Sequence, residues 1–467
     1  MPSPGPGAIA GDADIDTCLR VLAEASKTDP GDPRWARVHQ AAAQVYRAGK
    51  KARKTARHAD RQRHDRELLS GSTRYREQKP SPAPAAPGVP SVPDRRLLGV
   101  RRCYVCKSGY RDVHPDYHLL CPDCAGREAA RRYARCDLRG RRAIVTGGRV
   151  KIGFHVALKM LRDGAEVLVV TRFPRDAARR FAAVPDADGW LGRLHIHGAD
   201  LLDMAAVAGL LDIVHERFPS LDILVNNAAQ TIRRPAAYYR EVRTGESRPL
   251  TGAAARIDVT GTAVPAALPP TAAGALELPV SAAAGESLAA LFPAGRMDET
   301  GQPLDLRARN SWSLRLHDVD PAEWVEVHVV NAFAPFLLTS RLRGLLEASP
   351  RPDRYVVQVS AMEGSFSREN KTVRHPHTNM AKASLNMLTR TAAGDYAASG
   401  IYMNSVDTGW VTDERPHPDK TAAREAGFRP PLDVIDGAAR VYDPIVRGVG
   451  GERIYGMFLK DYEPVRW

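Results

Sequence analysis

The sequence lacks the features that would place it in or across a membrane. No apolar run approaches the roughly 18 to 20 residues of a bilayer span, and the opening MPSPGPGAIAGDAD lacks the basic-then-apolar order of a secretory signal. Cysteine is scarce, six in 467 residues, too few for a disulfide-stapled secreted scaffold. A cytoplasmic, reducing location is therefore expected, in which paired CxxC motifs mean metal more often than disulfides. Acidic residues are outnumbered, 54 Asp+Glu against 67 Lys+Arg, for a formal charge of +13 concentrated toward the N-terminal side. That balance favours acidic partners, although a solvated basic face is the commoner cause. What is present is ordinary globular material: 43% of residues are hydrophobic, and the length predicts two or three domains.

Residues 1–76 read as a helical, basic arm. Leu19 and Leu22, then Val38, Ala42 and Val45, recur at helical spacing around a break at Asp29-Pro30-Gly31-Asp32-Pro33, which predicts a helical hairpin. Its second helix runs on into RAGKKARKTARHADRQRHDRELL, strongly cationic and without interleaved aromatics. A solvated or protein-docking helix is favoured over a nucleic-acid contact, because recognition needs more than charge. Residues 77–98, with KPSPAPAAPGVPSVP, read as a linker.

In the stretch 99–130, Cys103 and Cys106 are separated from Cys121 and Cys124 by fourteen residues. Two such knuckles offer four thiolates to one tetrahedral Zn2+, and a closed four-sulfur shell leaves no position for substrate, so a structural ion is expected. The segment resembles a zinc ribbon or treble-clef knuckle. His114 and His118 then remain surface or outlying residues, and Cys18 and Cys136 are read as buried apolar side chains. Because few large apolar residues (Val105, Leu119, Leu120) lie between the knuckles, the metal should carry the local fold. Cys121→Ser is expected to lose zinc while leaving dinucleotide binding largely intact.

From Arg142 to Arg172 an apolar run, a Gly-rich turn, an amphipathic segment and a β-branched run read as strand, turn, helix, strand. Gly147 permits the tight turn and Gly153 close helix packing, with the helix N-terminus presented to a pyrophosphate. The following strand ends at Arg172, with Arg175 close behind, Arg149 in the turn and no carboxylate at the strand end. That arrangement suits the 2'-phosphate of NADP(H) rather than the ribose hydroxyl of NAD.

These motifs, in this order, resemble the short-chain dehydrogenase/reductase family over residues 137–467. The resemblance implies an α/β fold, a doubly wound Rossmann-type parallel sheet preceded by the helical arm and the small zinc module. It implies cofactor contacts at Thr146, Gly147, Arg149, Lys151, Ile152 and Gly153, where Lys151 stands in place of the family's middle glycine. Asp200 matches the family's adenine-contacting Asp, Asn227 the NNAG segment, and Gly409, Val411 and Thr412 the loop that clamps the nicotinamide. Between them an insertion of about 232–311 reads as a lid-like loop, too Ala/Pro-rich to form a sheet core.

The same resemblance places Ser360 at the carbonyl-binding serine, Asn331 in the proton relay and Lys382 on the nicotinamide ribose. The family's catalytic tyrosine is replaced by Thr378. An aliphatic alcohol is a far weaker acid than a phenol of pKa near ~10, so two repairs are considered. His375 or His377 just ahead of the helix could donate the proton, or Tyr238 or Tyr239 could swing in from the insertion. The sequence thus leads to an NADPH-dependent reductase of a small carbonyl or imine, paired as a homodimer or homotetramer through helices beginning near Ala322 and Thr378. The alternative is a non-catalytic nucleotide-binding adaptor that uses the knuckle and basic arm to meet an acidic protein or nucleic acid.

Overall fold

The computed structural model describes residues 11–29, 31–76, 95–262 and 288–467. Most of the Pro-rich linker and nearly all of the Ala/Pro-rich run of the insertion lie outside them. The chain divides into two units, 1–68 with 96–100, and 69–95 with 101–467.

The first unit carries the two expected helices, α1 (Asp12–Ala25) and α2 (Ala36–Ser70), and the opening of strand β1 (Arg96–Arg102). The cationic stretch of α2 is exposed, and Asp65 near its end accepts hydrogen bonds from the backbone N–H of Leu98 (2.7 Å) and Gly99 (3.0 Å). Arg96 to Leu98, read as linker from composition, are thus strand residues. Cys18 is exposed on α1 rather than buried. A cysteine in a helix takes its burial from the helix face, which composition does not reveal.

The second unit opens with α3 (Thr73–Arg76), β2 (Gly109–Asp112) and α4 (Pro122–Arg132). Next come β3 (Arg142–Thr146), α5 (Lys151–Arg162), β4 (Glu166–Thr171), α6 (Pro174–Ala182), β5 (Leu194–Gly198), α7 (Met204–Arg217) and β6 (Ile223–Asn226). The insertion contributes α8 (Arg240–Glu246), β7 (Asp258–Gly261) and α9 (Leu288–Leu291). After it follow α10 (Pro321–His328), α11 (Ala334–Arg341), α12 (Arg343–Glu347), β8 (Arg354–Ser360), α13 (Pro376–Ala398) and β9 (Ile401–Asp407). The chain closes with α14 (His417–Glu425), α15 (Val434–Val449), β10 (Phe458–Lys460) and β11 (Glu463–Val465).

Nine strands form one sheet in the order β11-β10-β9-β8-β6-β3-β4-β5-β7, parallel except for β11. The central strands are apolar on both faces, as a sheet covered by helices on both sides requires. One face buries Val156, Phe181 and Val441 from α5, α6 and α15; the other buries Leu210, Leu338 and Ala393 from α7, α11 and α13. Strand order runs outward in opposite senses from β3 and β6, so the switch point lies between them. Ligands of open α/β sheets bind there, beyond the carboxyl ends of the strands.

The insertion departs from expectation by adding a ninth strand: β7 pairs parallel with β5, Val259 opposite Ile196. The Ala/Pro-rich run begins only after it. Ile257 and Val259 alternate with polar neighbours and pack on the core, as a half-buried strand does.

Candidate functional site

Between β3 and α5, Gly147 takes φ +68°, and a Cβ there would lie 2.8 Å from Ala228 Cα. Asn227 fastens the two switch-point strands: its side-chain amide donates to Thr146 O (2.9 Å) and Gly147 O (3.2 Å), and its backbone N–H donates to Thr146 Oγ1 (3.0 Å). A Cβ on Gly153 would overlap that same amide, which explains the glycine. Val150 precedes α5 and gives its N-terminus no side-chain cap, leaving backbone donors of the kind that bind phosphate. Asp200 is buried beyond β5; its Oδ1 accepts from Leu202 N (3.1 Å), while Oδ2 has no hydrogen-bond partner among the described residues. An orphaned, buried acceptor suits an amino group such as the adenine amine. These features fit a dinucleotide.

The arginines thought to read a 2'-phosphate all cluster at the ends of β4 and α6, but the structure surrounds them with acceptors that the sequence did not place there. Arg149 pairs with Asp176 (2.7 Å), which also binds Arg180. Arg172 donates to the Tyr239 hydroxyl (2.8 Å) and lies 3.9 Å from Asp200. Glu246 of the insertion accepts the backbone N–H groups of Arg175 (2.9 Å) and Asp176 (2.6 Å), and its carbonyl accepts Arg175 Nη1 (2.8 Å). The strand end free of carboxylates is therefore a local truth only, because Asp176 lies against Arg149, Asp200 lies near Arg172, and the Glu246 carboxylate takes the backbone N–H groups of Arg175 and Asp176. Lys151, at φ +53°, donates to Glu414 (2.9 Å), as does Thr412 Oγ1 (2.8 Å). Burial alone would raise the Glu414 carboxyl, but the Lys151 ammonium outweighs it and holds the group down to about 2.

The residues expected at a reaction centre lie at the carboxyl ends of β8 and β9 and on α13. Ser360 faces Asp407 across the strand pair and donates from Oγ to Lys382 O (3.3 Å). Lys382, one turn along α13 from Thr378, is buried and donates from Nζ to Val359 O (2.7 Å). Burial lowers its ammonium to about 8, against a nearby Glu363 that raises it. Burial likewise raises Asp407 to about 6, opposed by Arg440, and Asp407 Oδ1 accepts Met362 N (3.1 Å). Thr378 is buried, with no partner for its hydroxyl among the described residues.

Neither tyrosine of the insertion reaches this centre. Tyr238 and Tyr239 are buried in an apolar cluster with Phe173 and Phe292, beside Arg234 and Arg172 respectively. His377 is fully buried 3.3 Å from Glu323, outside hydrogen-bond geometry. It points into the packing of α10 and α13. His375, in a left-handed conformation, stacks on Trp312 at 3.9 Å and contacts Asn379 through Nδ1 (3.0 Å). Asn331 sits in a π-helical turn, Val329–Phe333, and exchanges two hydrogen bonds with the backbone of Gln230, at 2.6 and 3.0 Å. Ile152 and Val411 pack beside Gly437, and Gly409, at φ +75°, lies against Arg440. Sequence reading missed Glu246, Glu414 and Asp407, whose significance depends on long-range contacts.

The cysteine module places Cys103, Cys106, Cys121 and Cys124 with their sulfurs all within 4.8 Å of one another. A tetrahedral ion with Zn–S of about 2.3 Å spaces its sulfurs by about 3.8 Å, and Cys106 and Cys121 stand 3.7 Å apart. His118 is buried and lies 3.4 Å from Arg429 O, not at the surface. Cys136 is half-buried, its sulfur 3.2 Å from the Tyr442 hydroxyl.

Residues 141–247 match the short chain dehydrogenase profile and residues 307–425 that of enoyl-(acyl carrier protein) reductase. An uncharacterized protein of Acanthamoeba polyphaga mimivirus is 31% identical over 379 residues, covering 77% of this chain and 75% of that one. The carbonyl reductase [NADPH] 1 of Sus scrofa is 38% identical over 89 residues, 19% of this chain and 29% of that protein. Among solved structures, the NADPH-bound carbonyl reductase from chicken fatty liver is similar at 17% identity and a TM-score of 0.43, over 71% of this chain and all of that one. The chain belongs to the short-chain dehydrogenase/reductase family. Among the described residues, no helix is long and apolar enough to cross a membrane.

Proposed function

We propose that this protein binds NADP(H) and reduces a small carbonyl or imine. The observation that carries the reading is Lys382, a buried ammonium held near pKa 8 one strand end away from Ser360. The cofactor, when bound across Asn227, Asp200 and the Gly147 turn, would supply the hydride. In the carbonyl case Ser360 Oγ donates a hydrogen bond to the substrate oxygen, and Lys382 gives that oxygen its proton, yielding the alcohol and a neutral amine that solvent reprotonates. Lys382 thus takes the role left open by Thr378; against the other candidates, His377 faces Glu323, His375 stacks on Trp312, and Tyr238 and Tyr239 are buried among aromatic rings. Arg172, part-exposed and 3.9 Å from Asp200, supports the 2'-phosphate reading, whereas Arg149 is already paired with Asp176. The cysteine cluster is suited to one structural zinc ion, and the exposed apolar residues Trp324, Phe333, Phe336 and Met387 on α10, α11 and α13 suit pairing with a second copy.

Fluorescence titration is expected to show NADPH binding more tightly than NADH. Equal affinity, or none for either, sinks the cofactor reading. With an active carbonyl, kcat should fall as pH rises through about 8, when the ammonium is lost, and Lys382→Met should abolish turnover. The exposed cationic face of α2 supports the adaptor as a second reading. It predicts no turnover across a carbonyl panel, with partner binding lost when residues 1–100 are removed.

A further inference from the structure

We propose that the four-cysteine module is a clamp on the loop 407–412, so that metal loading and dinucleotide affinity are linked. This rests on the NADP(H) reading above, in which that loop closes on the nicotinamide end of the cofactor.

Two arms of the module hold the loop. Tyr104 lies between the cluster residues Cys103 and Cys106, and its hydroxyl accepts the backbone N–H of Trp410 at 2.9 Å. Trp410 stands between Gly409 and Val411, and its ring packs on Phe428 with centroids 4.8 Å apart. The second arm is Glu128, one turn beyond Cys124 on α4 and buried. Glu128 pairs with Arg440 and accepts from the Tyr462 hydroxyl at 3.0 Å, while Asp461 binds Arg440 at 2.6 Å. Arg440 in turn fills the space against Gly409, where a Cβ would overlap its guanidinium.

Both arms are placed by the cysteines. Cys121 is the residue from which α4 starts, its N–H meets Cys103 Sγ at 3.3 Å, and Tyr104 is carried by the first knuckle. One ion would tie all four sulfurs to a single centre, so without it nothing fastens the two knuckles to each other, the cluster opens and both arms leave the loop. Binding energies coupled in this way are reciprocal: whatever metal adds to cofactor affinity, cofactor adds to metal affinity. This revises the expectation that zinc loss spares dinucleotide binding. That expectation considers the Gly147 turn alone, whereas the loop 407–412 is hydrogen-bonded to Tyr104 between two of the cysteines. Tyr104 and Glu128 act through Trp410 and Arg440 and are positioning residues.

The test uses full-length, zinc-loaded protein and NADPH itself. Tyr104→Phe removes only the acceptor for Trp410 N–H. It should retain one zinc per chain and the wild-type melting temperature, weaken NADPH binding about 3- to 10-fold, and speed deuterium exchange at the Trp410 amide. Cys121→Ser should lose zinc and weaken NADPH at least as much. The clamp is overturned if zinc-loaded Tyr104→Phe binds NADPH as the wild type does, or if zinc-free, folded Cys121→Ser does so. Failure of the wild type to bind NADPH would remove the cofactor reading instead, and the clamp then stands or falls on the Trp410 exchange rate, which must rise in Tyr104→Phe.

Discussion

On the reductase reading, placing a phenol at position 378 is the sharpest way to ask how the protein would move a proton. Thr378 is buried, its hydroxyl has no partner among the described residues, and it lies one turn from Lys382 on the same face of α13. A positioned general acid contributes roughly 100- to 10,000-fold to a proton-transfer step. Against that stands crowding: enlarging a packed side chain costs about 1 to 3 kcal/mol, and Gly364 already presses its backbone on Lys382. Thr378→Phe carries the same crowding without the hydroxyl, so the comparison that matters is Thr378→Tyr with Thr378→Phe. If the missing acid limits turnover, the Tyr variant should exceed the Phe variant in kcat by about tenfold or more. The assay is NADPH consumption with one active carbonyl, at matched fractions folded. Equal kcat in two well-folded variants refutes the reasoning, because proton delivery by Lys382 would then leave no slow step for a better acid to speed.

Gly409→Ala forces a side chain into φ +75° against Arg440. Left-handed backbone costs roughly 1–2 kcal/mol and unseating a buried ion pair roughly 3–5, so urea unfolding should show a loss of about 4 kcal/mol or more. A loss below about 1 kcal/mol would mean that Arg440 moves aside freely. Glu414 drops from 4.5 to about 2 on folding, so its contribution is complete above its unfolded pKa and is lost as pH falls toward the folded one. At neutral pH that shift is worth about 3 kcal/mol. The stability gap between wild type and Glu414→Gln should therefore narrow by about 1 kcal/mol between pH 4.5 and 3.5; a constant gap would show that Lys151 does not hold this carboxylate.

The parts of the site legible in the sequence are those made within one turn or at one strand end. Gly147, Gly153 and Asn227 declare themselves because a tight turn and a close helix approach admit few residue types. Ser360 and Lys382, at a strand end and on the following helix, are legible through the resemblance to the family's motif order. The departures share one cause, distance along the chain. Glu246 meets Arg175 across 71 residues, Glu414 meets Lys151 across 263, and Tyr104 meets Trp410 across 306. No local pattern encodes such pairs, since each residue alone reads as a solvated charge or a surface phenol. The ninth strand was obscured for another reason: the composition of its neighbour, the Ala/Pro-rich run, dominated the reading of the whole insertion.

The π-helical turn that carries Asn331 makes chain length, rather than side-chain identity, the fixed quantity in that helix. An α-helix turns about 100° per residue, and the turn Val329–Phe333 holds one residue more than regular winding would. Deleting any one residue there would restore the regular helix and swing Trp324 and His328, now stacked at 3.7 Å, around the axis relative to everything downstream. Phe333 and Phe336 would then face a different neighbour from the one Asn331 and Gln230 dictate. Removing one residue here would therefore disturb what Asn331 holds at Gln230 even with every side chain kept.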